Sequence, residues 1–224
     1  MLTTKDILEW DTVNWSVALR NWERHLPSGP ADCLEIGSGA GGLSLWLASK
    51  GHHVVCSDRA GARPEARELH GLHSVPGKID YAAVDATNIP YNERFDIIVF
   101  KSVLGRIWAI CGDEGLRQAL AEMRKALKPK GKLLFAENLR STRFHMFCRI
   151  RFADRGEEKW KFLTIEEMRG LLADFSKFEY DLAGFLGLFG ITETQRQVLG
   201  YVDKLLLPVV PKSCRYIMAG VAEK

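Results

Sequence analysis

Three acidic side chains stand where three apolar runs give out, and a glycine-dense turn follows the first of them. Glu35 leads into Gly37-Ser38-Gly39-Ala40-Gly41-Gly42, Asp58 ends the run Val54–Ser57, and Asp85 follows Tyr81–Val84. Glycines lack a Cβ, so such a turn can be tight and can let a ligand approach its backbone, while a helix opening near Gly42 offers unpaired N–H groups. Asp58 lies 21 residues after Gly37, the spacing at which an acid at a strand end accepts two hydrogen bonds from a ribose diol. Asp85 can accept from an exocyclic adenine amine. Gly37, Gly39 and Gly42 satisfy Gly-x-Gly-x-x-Gly, whereas Glu35, Gly37, Gly39 and Gly41 satisfy acidic-x-Gly-x-Gly-x-Gly, so the turn alone leaves the nucleotide open. No Gly-Lys-Ser/Thr follows it, which disfavours phosphate transfer.

The elements that would carry these acids alternate. Short apolar runs at Cys33–Ile36, Val54–Ser57, Tyr81–Val84, Ile97–Phe100 and Leu133–Ala136 read as strands, with helical periodicity in Leu43–Lys50 and Leu116–Leu127. Lys128-Pro129-Lys130-Gly131 stops the second helix and starts a fifth strand at Lys132. Thr164-Ile165-Glu166-Glu167 is a capping box opening a helix to about Asp174. A strand around Phe178–Leu182, a helix over Glu193–Leu206 and a final strand in Cys214–Ala222 complete the pattern. The expectation is an α/β fold, a doubly wound, seven-stranded, mainly parallel sheet. Leu8, Trp15, Leu19, Trp22 and Leu26 form one apolar stripe, so residues 1–29 are expected to be an N-terminal helical cap, hinged at Pro27-Ser28-Gly29-Pro30.

A chain of 224 residues, 46% hydrophobic and 26% charged, is expected to form one globular domain. A net charge of +3 does not announce a nucleic-acid binder. The five cysteines are unevenly spaced with no zinc pattern, so neither a metal nor a disulfide framework is expected; Cys33, Cys56 and Cys214 read as strand core. The N-terminus lacks an apolar signal region, and the longest uncharged apolar stretch, Leu182–Thr192, is too short to span a bilayer. A cytoplasmic protein is the expectation.

Taken together, Glu35 to Gly42, Asp58, Val84-Asp85-Ala86, Phe95-Asp96-Ile97-Ile98-Val99-Phe100 and Leu127-Lys128-Pro129-Lys130-Gly131-Lys132-Leu133-Leu134 resemble a class I S-adenosylmethionine-dependent methyltransferase over residues 31 to 140. The resemblance implies S-adenosylmethionine as cofactor, with Gly37, Ser38, Gly39 and Gly41 under its methionine portion and Glu35 toward its amino end. Asp58 would take the ribose hydroxyls, Asp85 and the Ala86 N–H would meet the adenine, and Arg59 would cover one face of the base. Lys101 and Ser102 would line the methyl-donating end, and Trp15 would close over it.

Phe100-Lys101-Ser102-Val103 replaces the Asn/Asp-Pro-Pro-Tyr/Phe of amino-group DNA methylation, and no proline precedes a cysteine, so a small-molecule or glycan-like acceptor is the default. For an alcohol acceptor a general base would help, and His145, after strand five, is the first candidate, with Glu137 the second. Arg140, Arg143, Arg149 and Arg151, with no acid between Asn138 and Ala153, suit an anionic group. Their interleaved Phe144, Met146, Phe147, Ile150 and Phe152 suggest a mobile lid within residues 138–163. A weaker similarity, in Phe100–Gly105, Ala136–Leu139 and the tail from Gly184, is to bacterial methyltransferases of surface-polysaccharide and related pathways. Two alternatives stand beside this reading. A nicotinamide-dependent oxidoreductase would use Gly37, Gly39, Gly42 and Asp58 but leaves Glu35 and Asp85 unexplained; a non-catalytic module would retain only the cofactor pocket.

Overall fold

Apolar runs without polar alternation form strands that are covered on both faces, as parallel sheets require. The computed structural model describes residues 2–152 and 160–224, with the backbone alone described at 148–152. Five strands pair in parallel, the inner ones of this kind and β3 a half-exposed edge: β1 (Asp32–Ile36), β2 (His53–Asp58), β3 (Lys78–Ala83), β4 (Phe95–Lys101) and β5 (Leu127–Asn138). The later strands β6 (Lys177–Ala183) and β7 (Ile217–Glu223) complete a seven-stranded sheet of order β3-β2-β1-β4-β5-β7-β6, in which β7 is antiparallel to both its neighbours. The expected seven-stranded, mainly parallel sheet is therefore present. The antiparallel β7 inserted before β6 separates it from the dinucleotide-binding order, in which β6 follows β5 in parallel.

Side chains of one strand alternate between two cores. Ile97 and Val99 of β4 join α1 (Thr4–Leu8), α2 (Thr12–Glu23) and α3 (Gly42–Ser49), while Ile98 and Phe100 face α5 (Leu104–Ala126) and α7 (Ile165–Leu171). Between β2 and β3 runs α4 (Pro64–Gly71), and α6 (Arg143–Phe152) follows β5. The two N-terminal helices form the expected cap, yet α2 is itself a packed layer: it lies against β5, β6 and β7, and Trp22 Nε1 donates to the Gly220 carbonyl at 3.0 Å. The Pro27–Pro30 stretch thus links a fixed helix to β1 and does not serve as a free hinge.

Three boundaries depart from the sequence reading for identifiable reasons. Helix α5 begins at Leu104, well before Leu116, because Gly112 (φ 68°, ψ −164°) joins two helical pieces at a kink that interrupts the apolar period. Strand β5 begins at Leu127, with Lys128–Gly131 absorbed as a bulge between the pairs Phe95–Leu127 and Ile97–Lys132. Cys214, read as strand core, lies half-buried in a 3-10 turn (Lys212–Cys214), since the Arg215 guanidinium binds the carbonyls of Leu182, Leu207 and Val210 and holds the chain off the sheet until Ile217. The Thr164 capping box is present, with Glu167 N donating to Thr164 Oγ1 at 3.1 Å and Thr164 N to Glu167 Oε2 at 2.7 Å.

Helix α8 (Glu193–Leu206) fastens the cap to the sheet through two carboxylates, one buried and one half-buried. Fully buried Asp203 accepts from the backbone N–H groups of Phe185, Leu186 and Gly187 at 2.7–3.0 Å and from Asn14 Nδ2 at 2.9 Å. Glu193 accepts from Asp11 N, Thr12 N and Thr12 Oγ1 at the start of α2. Asp203→Ala strands three backbone donors and one amide in the interior, where each such group costs about 1–3 kcal/mol. The expected outcome is a loss of roughly 3–5 kcal/mol in urea denaturation; a loss under about 1 kcal/mol would show that solvent reaches this cluster.

Candidate active site

The carboxyl ends of β1, β2 and β4 and the loop after β3 converge on the glycine turn. Gly37, Gly39 and Gly41 adopt left-handed φ values of 66°, 52° and 78°, which glycine reaches without strain. At Gly41 the turn is packed shut, because a Cβ would lie 2.6 Å from His70 Nε2; at Gly39 it is open, with only Glu9 Oε1, at 3.6 Å, in reach of a Cβ. His70 is the residue that the sequence reading passed over. Its Nε2 lies 2.8 Å from the Gly41 carbonyl and its Nδ1 2.9 Å from the Tyr81 hydroxyl, and burial lowers its pKa, so a neutral ring donates to the turn and accepts from the tyrosine. It acts from α4, 29 positions along the chain from Gly41, where no local spacing marks it.

Glu35 is buried below the turn. Its Oε2 accepts from Ser44 N at 2.8 Å and from Ser44 Oγ, so it caps the first turn of α3, and burial pushes its pKa to about 8. Asp58 at the end of β2 accepts from Arg59 N at 2.7 Å, and Arg63 Nε lies 3.7 Å from its second oxygen. Asp85 binds Thr87 through N and Oγ1 at 2.9 and 2.7 Å, which holds its carboxyl below the usual range, and Arg59 Nε pairs with it at 3.1 Å. Arg59 therefore bridges the ends of β2 and β3, and Ala86 beside it is buried.

Past β4 the backbone is strained: Ser102 has φ 55°, and its hydroxyl accepts from Asn138 Nδ2 at 2.9 Å. Glu137, a candidate base in the sequence reading, is buried and occupied by backbone. Its Oε2 accepts from Val103 N and Leu104 N at 2.9 and 2.8 Å, and its Oε1 from Asn138 N at 3.0 Å; burial pushes its pKa to about 7. Lys101 extends toward the cap, its Nζ 5.4 Å from the Trp10 ring centroid and 5.0 Å from that of Trp15. The two indoles meet edge to face at 5.6 Å, and Trp15 is 0% exposed. Trp10 carried no weight in the sequence reading, because it falls off the apolar stripe.

His145 opens α6 and is 1% exposed. Its Nδ1 lies 2.6 Å from Thr142 Oγ1 and 3.3 Å from Ser141 Oγ, and its Nε2 lies 2.8 Å from the Phe185 carbonyl, so Nε2 carries the proton. The ring stacks on Phe189 at 5.0 Å. Arg140 and Arg143 are exposed at the same edge of the sheet, with no acid paired to either among the described residues. The side chains of Arg149, Ile150, Arg151 and Phe152, named for the lid, lie outside the described residues, as do residues 153–159 of the expected insertion.

Two buried polar atoms in this region have no hydrogen-bond partner: Ser38 Oγ in the glycine turn and Trp15 Nε1 on the cap. The open backbone at Gly39, the orphaned Ser38 hydroxyl and the acids at the ends of β1 and β2 and after β3 share one edge of the sheet and fit a polar, adenosine-bearing cofactor. No group of His, Cys, Asp and Glu that could hold a metal occurs among the described residues.

Comparison with known proteins agrees with this geometry. A family model described as "Methyltransferase domain" matches residues 34–135. No curated protein matches the chain in sequence. In fold it is similar to an S-adenosylmethionine-dependent methyltransferase from Methanosarcina mazei (18% identity, TM-score 0.57, covering 90% of this chain and 95% of that one). It is similar also to an S-adenosylmethionine-dependent methyltransferase from Thermotoga maritima (17%, 0.58, 96% and 91%). A third similar structure is a phosphoethanolamine N-methyltransferase from Haemonchus contortus (16%, 0.58), where 94% of this chain covers 52% of the other. The chain thus has the class I methyltransferase fold. It carries an S-adenosylmethionine-dependent methyltransferase domain, with residues 34–135 as the matched segment.

The buried acids give stability a pH dependence. Glu35 (about 8), Glu137 (about 7) and Asp11 (about 7) titrate in the fold well above the unfolded carboxylate range near 4. The folded state therefore holds protons that the unfolded chain has released, and the stability they contribute is full below about pH 4 and is lost as pH rises toward 7–8. The denaturation midpoint should fall between pH 5 and pH 8, with a shallower fall in Glu137→Gln; a midpoint rising over that range would contradict the assignment.

Proposed function

We propose that the protein methylates a small-molecule or glycan-like acceptor at oxygen, and that the acceptor carries an anionic group. The observation that supports this most is the pairing, at one edge of the sheet, of the cofactor cleft with Arg140 and Arg143, two exposed cations that no described acid neutralises. A planar guanidinium fork suits carboxylate or phosphate. The phosphorylated acceptor named for the Haemonchus contortus protein is in keeping with an anionic acceptor.

On this reading Gly37, Ser38, Gly39, Gly41 and Glu35 hold the methionine portion of S-adenosylmethionine, Asp58 the ribose diol, and Asp85, Ala86 and Arg59 the adenine. Trp15, Lys101 and Ser102 line the end from which the methyl leaves. The cofactor supplies an electrophilic methyl on a sulfonium sulfur, so the chain's residues contribute chiefly by orienting the acceptor and excluding water. Glu137 and His145 act as positioning residues: the first fixes the Val103–Leu104 turn beside Ser102, the second ties α6 to the Phe185 loop.

Labelled methyl transfer to a panel of hydroxylated sugars and small acids, with and without phosphate or carboxylate, tests the reading. Turnover is expected with anionic hydroxylated members, and Arg143→Ala should raise their KM with kcat little changed. Methylation restricted to amines or to neutral acceptors would overturn it. Asp58→Ala removes a charged acceptor for hydroxyl donors, and hydrogen bonds of that kind are worth about 1.5–3 kcal/mol. S-adenosylhomocysteine affinity, by calorimetry, should therefore drop at least tenfold in that variant; an unchanged affinity would return Asp58 to a turn role. His145→Gln should lower kcat modestly and leave the pH profile unmoved, whereas loss of a limb between pH 6 and 9 would make His145 the base.

A further inference from the structure

The faces of Trp10 and Trp15 are already in contact with a cation of the chain's own. Lys101 Nζ stands 5.4 and 5.0 Å from the two ring centroids, inside the range at which an indole attracts an onium ion. This lysine, the last residue of β4, makes no ion pair within the described residues. Burial lowers its pKa, and Glu9, Asp11, Glu35 and Glu137 face it from the α1–α2 connection, β1 and β5 and act in the other direction. On the far component of the pair, Arg196 Cζ lies 5.5 Å from the Trp10 ring.

We propose that Lys101 makes the site read the charge on the cofactor's sulfur: its ammonium and a sulfonium compete for one aromatic, acid-ringed space, so Lys101 disfavours S-adenosylmethionine relative to S-adenosylhomocysteine. The inference rests on the cofactor placement proposed above. S-adenosylmethionine carries a positive sulfur and S-adenosylhomocysteine a neutral one, while the two share adenosine, amine and carboxylate. Everything that touches the shared parts changes both affinities alike. Only a group that responds to the sulfur's charge changes their ratio, and the charged group nearest the two indoles is Lys101. Trp15 Nε1, on one of these two rings, is buried without a hydrogen-bond partner.

A like charge beside a sulfonium in a partly desolvated site is worth on the order of tenfold in affinity. The same charge penalises the state in which the sulfur is fully positive and relaxes as that charge leaves, so it is placed to weaken cofactor binding and favour transfer. Calorimetric titration of wild type, Lys101→Met and Lys101→Arg with each ligand at pH 7.5 tests it. The expected result is a ratio of dissociation constants, S-adenosylmethionine over S-adenosylhomocysteine, about tenfold lower in Lys101→Met and unchanged in Lys101→Arg. Equal ratios in wild type and Lys101→Met would overturn the proposal, and so would an equal loss of both ligands, which would assign Lys101 to a part they share. Should Lys101→Met fail to fold by circular dichroism, Lys101→Gln carries the same comparison. Failure of wild type to bind S-adenosylhomocysteine would instead remove the cofactor placement itself.

Discussion

Every strand that ends at the ligand-bearing edge of a parallel sheet releases backbone N–H groups into a buried turn, and those groups need acceptors that do not fill the cleft. Carboxylates supply them throughout this chain. Glu35 takes Ser44 N, Asp85 takes Thr87 N, Glu137 takes Val103, Leu104 and Asn138, and Asp203 takes Phe185, Leu186 and Gly187. Glu193 does the same for the N-terminus of α2. The glycine turn, the turn past β4, the loop before α8 and the cap are therefore set by one device, an acid reaching from a neighbouring element. A carboxylate accepts two or three N–H bonds at once, which a neutral side chain of that size does not.

That device has an electrostatic consequence for the cleft. Acids also surround the end of β4, Glu35 and Glu137 through their backbone contacts and Asp11 through Asn14 and Tyr216, and burial raises all three toward neutrality. Lys101 is the cation placed among them, with Trp10 and Trp15 giving it faces to rest on in place of a direct ion pair. The N-terminal cap accordingly does more than cover the sheet. It brings both indoles to the end of β4, while α2 is anchored behind them by Trp22 on Gly220 and by the Asn14–Asp203 contact.

The parts of this arrangement that were legible in the sequence are those in which one element carries both the signal and the role. Three acids at three strand ends, glycines at alternate positions and a capping box all declare themselves within a few residues. His70 does not, because its partner Gly41 lies on another element and an isolated histidine on a helix has no spacing to report. Glu137 and His145 were legible as positions and not as roles: each stands at the right edge of the sheet, yet which backbone groups meet it depends on β4, α5 and the Phe185 loop. Helix α5 was found only in its second half, since Gly112 breaks the periodicity, and Cys214 was misplaced because Arg215 binds three carbonyls that no nearby pattern foretells.

The same division explains why the fold names the cofactor before it names the acceptor. The segment that matches the methyltransferase domain ends at Phe135, two residues short of Glu137, and so contains the glycine turn and all three strand-end acids. Outside it lie Arg140, Arg143 and α6 after β5, the Phe185 loop, α8, and the Trp10–Trp15 pair at the other end of the chain. Cofactor residues hang on strand ends whose geometry the sheet dictates, so many sequences of this fold can share them at identities near 17%. Acceptor residues hang on connections that the sheet leaves free, and specificity is free to change there without disturbing the core. On the reading proposed here, the chemistry of the acceptor is carried by those connections, beginning with Arg140 and Arg143, which face no described acid.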